Sequence, residues 1–287
     1  MSVTFVEPQQ VIVWCFVVGP VHHNLLQGDG VWGVTTLDNM IYVLRDKPSE
    51  QIAVYDCDSY RLQRKISFPR LHEVYGIVAC PYYRCLYISN CSDKCVHRVA
   101  LLNDVVTNWA VSDGYRGLSV TDAHSVLVTC NEVRKIKEFS TDGKLLGQIQ
   151  LSEDVVSLRQ TIQLSSGEFV VCHGRASDPL HRVCLIGSDG RLVKSYGGPP
   201  GSGTRQLNLP VQIAVDRNGF VFVADLINQR VLLLSPALTF VREILSRKQL
   251  KWRPLRLWYD SDRRRLYVAV NELKDNNKRG RVVVVGV

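Results

Sequence analysis

Leu207 to Leu234 reads LNLPVQIAVDRNGFVFVADLINQRVLLL. Ile213 to Val215 mixes apolar and small residues, and Asp216-Arg-Asn-Gly219 supplies a turn in which Asn218-Gly219 tolerates positive φ. Phe220 to Ala224 reads as a second strand and Val231 to Leu234 as a third. Between these two, Asp225, Asn228 and Arg230 are placed to bond the loop backbone and one another. Three consecutive strands form most of one small antiparallel sheet. Such a sheet cannot bury both of its faces alone, so the pattern should recur.

It recurs in weaker form. A leading residue and then a short β segment stands at Gly33-Val34-Thr35, Gly76-Ile77-Val78, Gly117-Leu118-Ser119, Thr161-Ile162-Gln163, Gln212-Ile213-Ala214 and Arg256-Leu257-Trp258. From Val34 the middle residues follow at intervals of 43, 41, 44, 51 and 44, the period of a four-stranded propeller blade. Second strands are predicted at 40–44, 85–89, 125–129, 168–172, 220–224 and 266–270. Third strands follow at 52–55, 96–99, 136–139, 183–186, 231–234 and 282–285. Five copies go on to an outer strand. The sixth stops after its third strand near Val287, while an apolar run without a blade of its own, residues 11–18, lies near the N-terminus. The expected fold is all-β: one six-bladed propeller of four-stranded antiparallel blades over 1–287. The strand at 11–18 is expected to complete the last blade and leave no open sheet edge.

The segment Pro210, Asp216, Gly219, Asp225, Asn228 and Arg230 closely resembles the NHL repeat, one blade of such a propeller. Over the whole chain the pattern resembles the C-terminal propellers of animal tripartite-motif proteins. In those the propeller recruits protein or RNA, and an N-terminal RING, B-box and coiled coil supply ubiquitin-ligase chemistry. Paired C-x-x-C clusters and heptads are missing from this sequence, so the resemblance implies the recognition half and carries over no ligase activity. In the other blades the Asp-Asn-Arg set is replaced: by Asp46 and Gln51 in the first, by Asn90, Asp93 and Cys95 in the second, and by Cys130, Val133 and Lys135 in the third. Arg281 of the sixth aligns with Arg230.

The longest apolar runs, 11–18 and 282–287, are too short to span a bilayer. Pro8-Gln9-Gln10 is a poor prelude to a secretory signal. Nine cysteines, an odd number, are scattered as reduced proteins scatter them. These features predict a cytoplasmic protein with no membrane partner, monomeric as an isolated domain. Cys80, Cys85, Cys91 and Cys95 form a cluster, but a strand of about five residues, roughly 17 Å, separates the two pairs. One zinc ion cannot reach all four, and no cofactor is expected.

Enzymatic relatives of this architecture hold a metal on the propeller axis with His, Asp, Glu or Asn side chains. The inner strands here offer Thr35, Val78, Ser119, Gln163, Ala214 and Trp258, with no acidic residue or histidine. His173 and His181 fall in one long loop, and His22-His23 near the N-terminus. No nucleophile elbow or phosphate loop occurs. Gly197-Gly198-Pro-Pro-Gly201-Ser-Gly203 reads as a linker between blades.

Charge gives the remaining signal. The chain carries 35 Lys and Arg against 27 Asp and Glu. Residues 1–241 hold 22 of each sign, whereas 242–287 hold 13 basic and 5 acidic side chains. The whole excess sits in the last blade and the linker before it. In an antiparallel blade that linker emerges on the same face as the loop between strands two and three. Arg247, Lys248, Lys251 and Arg253 therefore share a face with Lys274, Lys278, Arg279 and Arg281, while Arg263-Arg264-Arg265 point from the opposite one. Trp252 offers a stacking platform for an unpaired base. These residues form the candidate partner-binding rim. The leading expectation is a non-catalytic scaffold for an acidic or phosphorylated protein, ahead of single-stranded RNA. The alternative is a metal-dependent propeller hydrolase or lyase with unrecognised axial ligands, and elemental analysis of the purified protein separates the two.

Overall fold

A computed structural model describes residues 21–45, 51–67, 74–272 and 279–287, with the backbone alone for 21–27. Among the described residues twenty-four strands form six four-stranded antiparallel sheets. The first strand, β1 (Val21–Asp29), stands apart from the sheet that follows it. Blade one is β2 (Val31–Leu37), β3 (Met40–Arg45), β4 (Gln51–Asp56) and β5 (Leu62–Ser67). Blade two is β6 (Val74–Cys80), β7 (Cys85–Asn90), β8 (Cys95–Ala100) and β9 (Val106–Ala110). Blade three is β10 (Gly117–Val120), β11 (Val126–Cys130), β12 (Lys135–Phe139) and β13 (Leu145–Gln150). Blade four is β14 (Leu158–Gln163), β15 (Phe169–His173), β16 (His181–Ile186) and β17 (Leu192–Gly198). Blade five is β18 (Pro210–Val215), β19 (Val221–Asp225), β20 (Arg230–Leu234) and β21 (Phe240–Leu245). A four-residue helix, α1 (Arg247–Leu250), leads into blade six: β22 (Arg253–Asp260), β23 (Arg265–Glu272) and β24 (Arg279–Gly286).

The expected six-bladed propeller is present, and burial explains its sequence pattern. Second strands such as β7, β11, β15 and β19 are buried along their whole length, because neighbouring blades cover both faces. They therefore read as continuous apolar runs without alternation. Outer strands such as β5 and β13 are largely exposed and carry polar residues. Turn chemistry sets the hairpins. Asp38 and Asn39 both take positive φ in the two-residue turn from β2 to β3. In the corresponding turn of blade five only Gly219 does so, at +82°, while Asp216 Oδ1 accepts from the amides of Asn218 and Phe220.

An N-terminal strand closes the ring. It is β1, which pairs antiparallel with β24 from Val21 opposite Val285 to Asp29 opposite Arg279. Residues 11–18, to which sequence assigned this task, lie outside the described residues. From Asp29 the chain passes through Gly30 directly into the innermost strand of blade one, so one short segment belongs to both ends of the array.

Side chains lock this seam. Asn271, 2% exposed, accepts from the Val31 amide at 2.9 Å and donates to the Val31 carbonyl at 3.1 Å. Trp258 Nε1 donates to Thr36 Oγ1 at 2.8 Å, and that hydroxyl donates to Asp260 Oδ2 at 3.0 Å. Gly280 is required beside it, because a Cβ there would lie 2.6 Å from the Val31 nitrogen.

The signature residues of blade five brace its connections. Asp225 is fully buried and accepts from Arg230 Nε at 2.8 Å, Asn228 Nδ2 at 2.7 Å and the Asn208 amide at 2.7 Å. One expected counterpart is displaced by one residue. In blade one Arg45, not Asp46, holds the Asp225 position, since it pairs with Val31 as Asp225 pairs with Pro210. In blade six Arg281 holds the Arg230 position as expected, since it pairs with Val270, which stands opposite Pro254 as Asp225 stands opposite Pro210.

Replacing Asn271 by alanine strands the buried Val31 amide and carbonyl, each costing about 1–3 kcal/mol. Urea denaturation of Asn271→Ala is expected to show a loss of roughly 2–4 kcal/mol. A loss below about 0.5 kcal/mol would show that the seam is held elsewhere.

Candidate functional site

The innermost strand of every blade carries a β-bulge near its start, where one residue is inserted opposite the second strand. The bulged residues are Trp32, Tyr75, Arg159, Val211 and Leu255 in blades one, two, four, five and six. In blade three it is Arg116, whose amide donates to the Thr129 carbonyl although Thr129 already faces Gly117. Bulges re-aim side chains. Here they turn all six toward the axis, where they line one cavity of about 190 Å³. It opens on the face carrying the inter-blade linkers and the loops between second and third strands, the loop face.

The next residue in each strand forms a ring one layer deeper: Gly33, Gly76, Gly117, Gln160, Gln212 and Arg256. The glycines of blades one to three leave room, and the long side chains of blades four to six fill it. Gln160 Nε2 donates to the Leu118 carbonyl at 2.7 Å. Arg256 reaches across the axis from blade six to blade two, donating through Nε to the Tyr75 carbonyl at 2.7 Å and through Nη2 to the same oxygen. These side chains divide the axis into the loop-face cavity and a larger one of about 400 Å³ on the opposite, turn face.

The bulges also correct the reading of blade four. Its inner strand runs Gln160-Thr161-Ile162 in register with Gly33-Val34-Thr35, one residue earlier than sequence alone suggested. Ile162, not Gln163, therefore lines the axis.

Arg116, Arg159 and Arg256 thus converge in the loop-face cavity. Tyr75 organises two of them. The Arg116 guanidinium lies 4.7 Å and that of Arg256 5.4 Å from the centre of its ring, and Arg116 Nη1 donates to its hydroxyl. Arg159 Nε donates to the Gly174 carbonyl at 3.3 Å. Among the described residues none of the three forms an ion pair. Burial and the like charge of Arg159 push Arg256 down to about 10, against a partial offset from Tyr75. Burial first and then the charge of Arg116 lower Arg159. Sequence reading passed over these arginines. Arg116 and Arg159 sit at bulges, which leave no compositional mark, and Arg256 stood inside the strand pattern itself.

The predicted rim divides. Arg247, Lys248, Lys251 and Arg279 are exposed on the loop face, and Arg253 is half-buried there. None of these five forms an ion pair among the described residues. Lys274 and Lys278 lie outside the described residues. Arg281 is buried: it donates through Nη2 to the Leu250 carbonyl at 2.9 Å, and its guanidinium sits 4.5 Å from the Trp252 ring centre. Trp252 therefore has one face occupied and serves packing between blades five and six. On the turn face Arg264 is exposed, but its neighbours are engaged. Arg263 bonds Asp260, Arg265 donates to the Cys57 carbonyl at 2.8 Å, and Arg217 pairs with Asp262.

The histidine assignments also change. His173 ends β15 and His181 begins β16, and both are fully buried. His173 Nδ1 contacts the Val156 carbonyl at 3.1 Å, and its Nε2 accepts from Arg182 Nε at 3.1 Å, which fixes the neutral tautomer. Arg182 in turn pairs with Asp154 at 2.8 Å. His173 stands at the register position of Asp225, so this network is the bracing of blade four. Cys80 and Cys85 lie at the opposite end of β7 from Cys91 and Cys95. Among the described residues no group of three or more His, Cys, Asp or Glu side chains is placed to share a metal ion.

A scan against protein-family models returns no match, and a search of curated proteins likewise returns none. Solved structures do match. Virginiamycin B lyase from Staphylococcus aureus aligns at a TM-score of 0.61 and 11% identity, over 93% of this chain and 98% of that one. A protein of unknown function from Bacteroides caccae aligns at 0.64 and 15% identity, over 83% and 85%. The Cps50 (Swd1) β-propeller domain of Myceliophteria thermophila aligns at 0.63 and 11%, over 93% and 100%. At these identities the likeness shows the six-bladed propeller and nothing finer. The resemblance to NHL and tripartite-motif proteins rests on the blade-five motif. No described helix is long and apolar enough to cross a membrane.

Burial and the neighbouring Arg182 charge hold His173 down to about 4, whereas an unfolded histidine titrates near 6.5. Its contribution is complete above about pH 6.5 and is lost as pH falls toward 4, up to roughly 3 kcal/mol. Stability by urea denaturation is expected to drop over that window, and His173→Gln should flatten the drop. Equal slopes in the two proteins would show that His173 protonates freely.

Proposed function

We propose that this protein is a non-catalytic binding module that engages an acidic or phosphorylated protein through the loop face of its propeller. The contact surface is the blade-six rim of Arg247, Lys248, Lys251, Arg253 and Arg279. One observation carries this reading: on the turn face Arg263 and Arg265 of blade six are ion-paired or hydrogen-bonded, while five cations gathered on the loop face have no carboxylate among the described residues. Exposed ion pairs contribute little to folding. Cations held on one face without partners therefore serve encounter with a negative surface, where they raise association rates and exclude like-charged competitors. The withdrawal of Trp252 beneath Arg281 favours a protein over single-stranded RNA, because the stacking platform a base would need is occupied. The module would act in the cytoplasm as a monomer. Its eight described cysteines are free thiols, seven of them buried, a usage that suits a reducing compartment.

Reversing Arg247, Lys248, Lys251 and Arg279 to glutamate is expected to leave the melting temperature within about 2 °C of wild type, since exposed unpaired side chains add little stability. The same variant should lose the acidic proteins that crosslink to and co-purify with wild type after RNase treatment. An unchanged partner set would overturn the rim as the site. Partners that disappear on RNase treatment alone would overturn the protein reading in favour of RNA.

A further inference from the structure

The axial cavity presents a different problem from the rim. Three guanidiniums project into one small space, and burying a cation without a partner is costly. Arg116 and Arg159 are each anchored by part of the fork only. Arg159 uses Nε toward Gly174, which leaves both terminal nitrogens without an acceptor among the described residues. Arg116 uses Nη1 toward Tyr75. Arg256, the most buried, spans the axis to the Tyr75 carbonyl and also donates through Nη1 to the Leu255 carbonyl at 2.9 Å. An arginine has five donors, so Arg116 and Arg159, which line the cavity, retain most of theirs, and Arg256 holds a fixed charge at its floor.

No carboxylate lines this space. Glu132 belongs to an adjoining cavity that it shares with Lys94, Arg116 and Arg175, and its carboxylate already accepts from the Gly114 amide at 3.1 Å. The local balance is therefore strongly positive, and the like charges depress one another as described above. Such an arrangement is stable only if something else requires it.

We propose that the loop-face axial cavity is a binding site for a phosphomonoester, held by Arg116, Arg159 and Arg256. Charge, shape and size all select this ligand. A monoester carries about −1.5 to −2 at neutral pH and three acceptor oxygens, against three guanidiniums converging from blades three, four and six. A phosphodiester brings one charge and needs a path for chain on both sides. Here the floor is closed by Gln160, Gln212 and Arg256, so a group enters from the loop face and stops. The volume of about 190 Å³ compares with the roughly 10–15 Å³ that one water-sized sphere occupies on the same measure, and admits a phosphoryl group with its first linking atoms. The apolar wall of Leu209, Val211, Leu226 and Leu255 suits the carbon attached to it. The site needs no rim residue, so it stands or falls separately from the proposed contact surface.

Isothermal titration with O-phosphoserine, inorganic phosphate, a phosphoserine peptide, its unphosphorylated twin and a single-stranded oligoribonucleotide lacking terminal phosphate tests the site. O-phosphoserine is expected to bind, and the phosphopeptide to bind at least tenfold more tightly than its twin. Arg159→Gln and Arg116→Gln, made separately, should each weaken both by at least tenfold. Arg159→Gln should also melt no lower than wild type without ligand, because it relieves repulsion. The rim variant should keep its affinity for O-phosphoserine. A peptide tighter than the free amino acid identifies a phosphorylated side chain as the source, and equal affinities identify a small metabolite. No preference for phosphorylated probes, undiminished binding in both arginine variants, or an oligoribonucleotide that binds where the monoesters do not would each overturn the proposal.

Discussion

The pairing of β1 with β24 is the constraint on which the rest of the molecule depends. A blade buries its faces only between two neighbours, and an array of blades has two ends. Closing it into a ring removes both ends, but the two segments to be joined are about 240 residues apart, as the Val31–Asn271 bonds show. Loop closure over that length is an entropic cost that short-range pairing does not incur. The seam answers with an antiparallel strand pair, buried side-chain bonds from Asn271, Thr36 and Trp258, and a glycine at position 280 that lets the two backbones approach. Only in the closed ring do six inner strands converge, and only then do their bulged residues meet at one point on the axis.

That convergence gives the two faces different characters. On the turn face, Arg263 and Arg265 of blade six and Arg217 of blade five hold neighbouring loops and strand ends together through Asp260, Cys57 and Asp262. On the loop face, cations of the rim and of the axial cavity have no carboxylate partner among the described residues. The axial arginines come from three blades, two of which carry no excess charge, so composition by segment cannot locate them.

What was legible in the sequence follows from what burial imposes. The continuous apolar second strands and the blade period are direct consequences of sheets covered on both sides, and they specify the fold. Blade four slipped by one residue because Thr161 takes a fully buried position that apolar residues hold in the other blades, which drew the alignment to Ile162. Arg281 was legible as the counterpart of Arg230 because both precede an apolar run, and the register agrees: Arg281 faces Val270 as Arg230 faces Asp225. The closing strand was sought in the most apolar N-terminal segment. Strand β1, with His22-His23-Asn24 and Gln27-Gly28-Asp29, has an outer-strand composition that carries little pattern of its own. The axial arginines were missed for a related reason: a bulge changes where a side chain points without changing which residues surround it in sequence.

Hydrogen exchange along β24 tests the ring most directly, since alternate amides of that strand face β23 on one side and β1 on the other. If β1 closes the propeller, both sets are protected to a similar degree, as expected for an interior strand. Alternation along Val282 to Val285, with the amides toward β1 exchanging as quickly as those of an open edge, would contradict the closure and with it the convergence of the six inner strands.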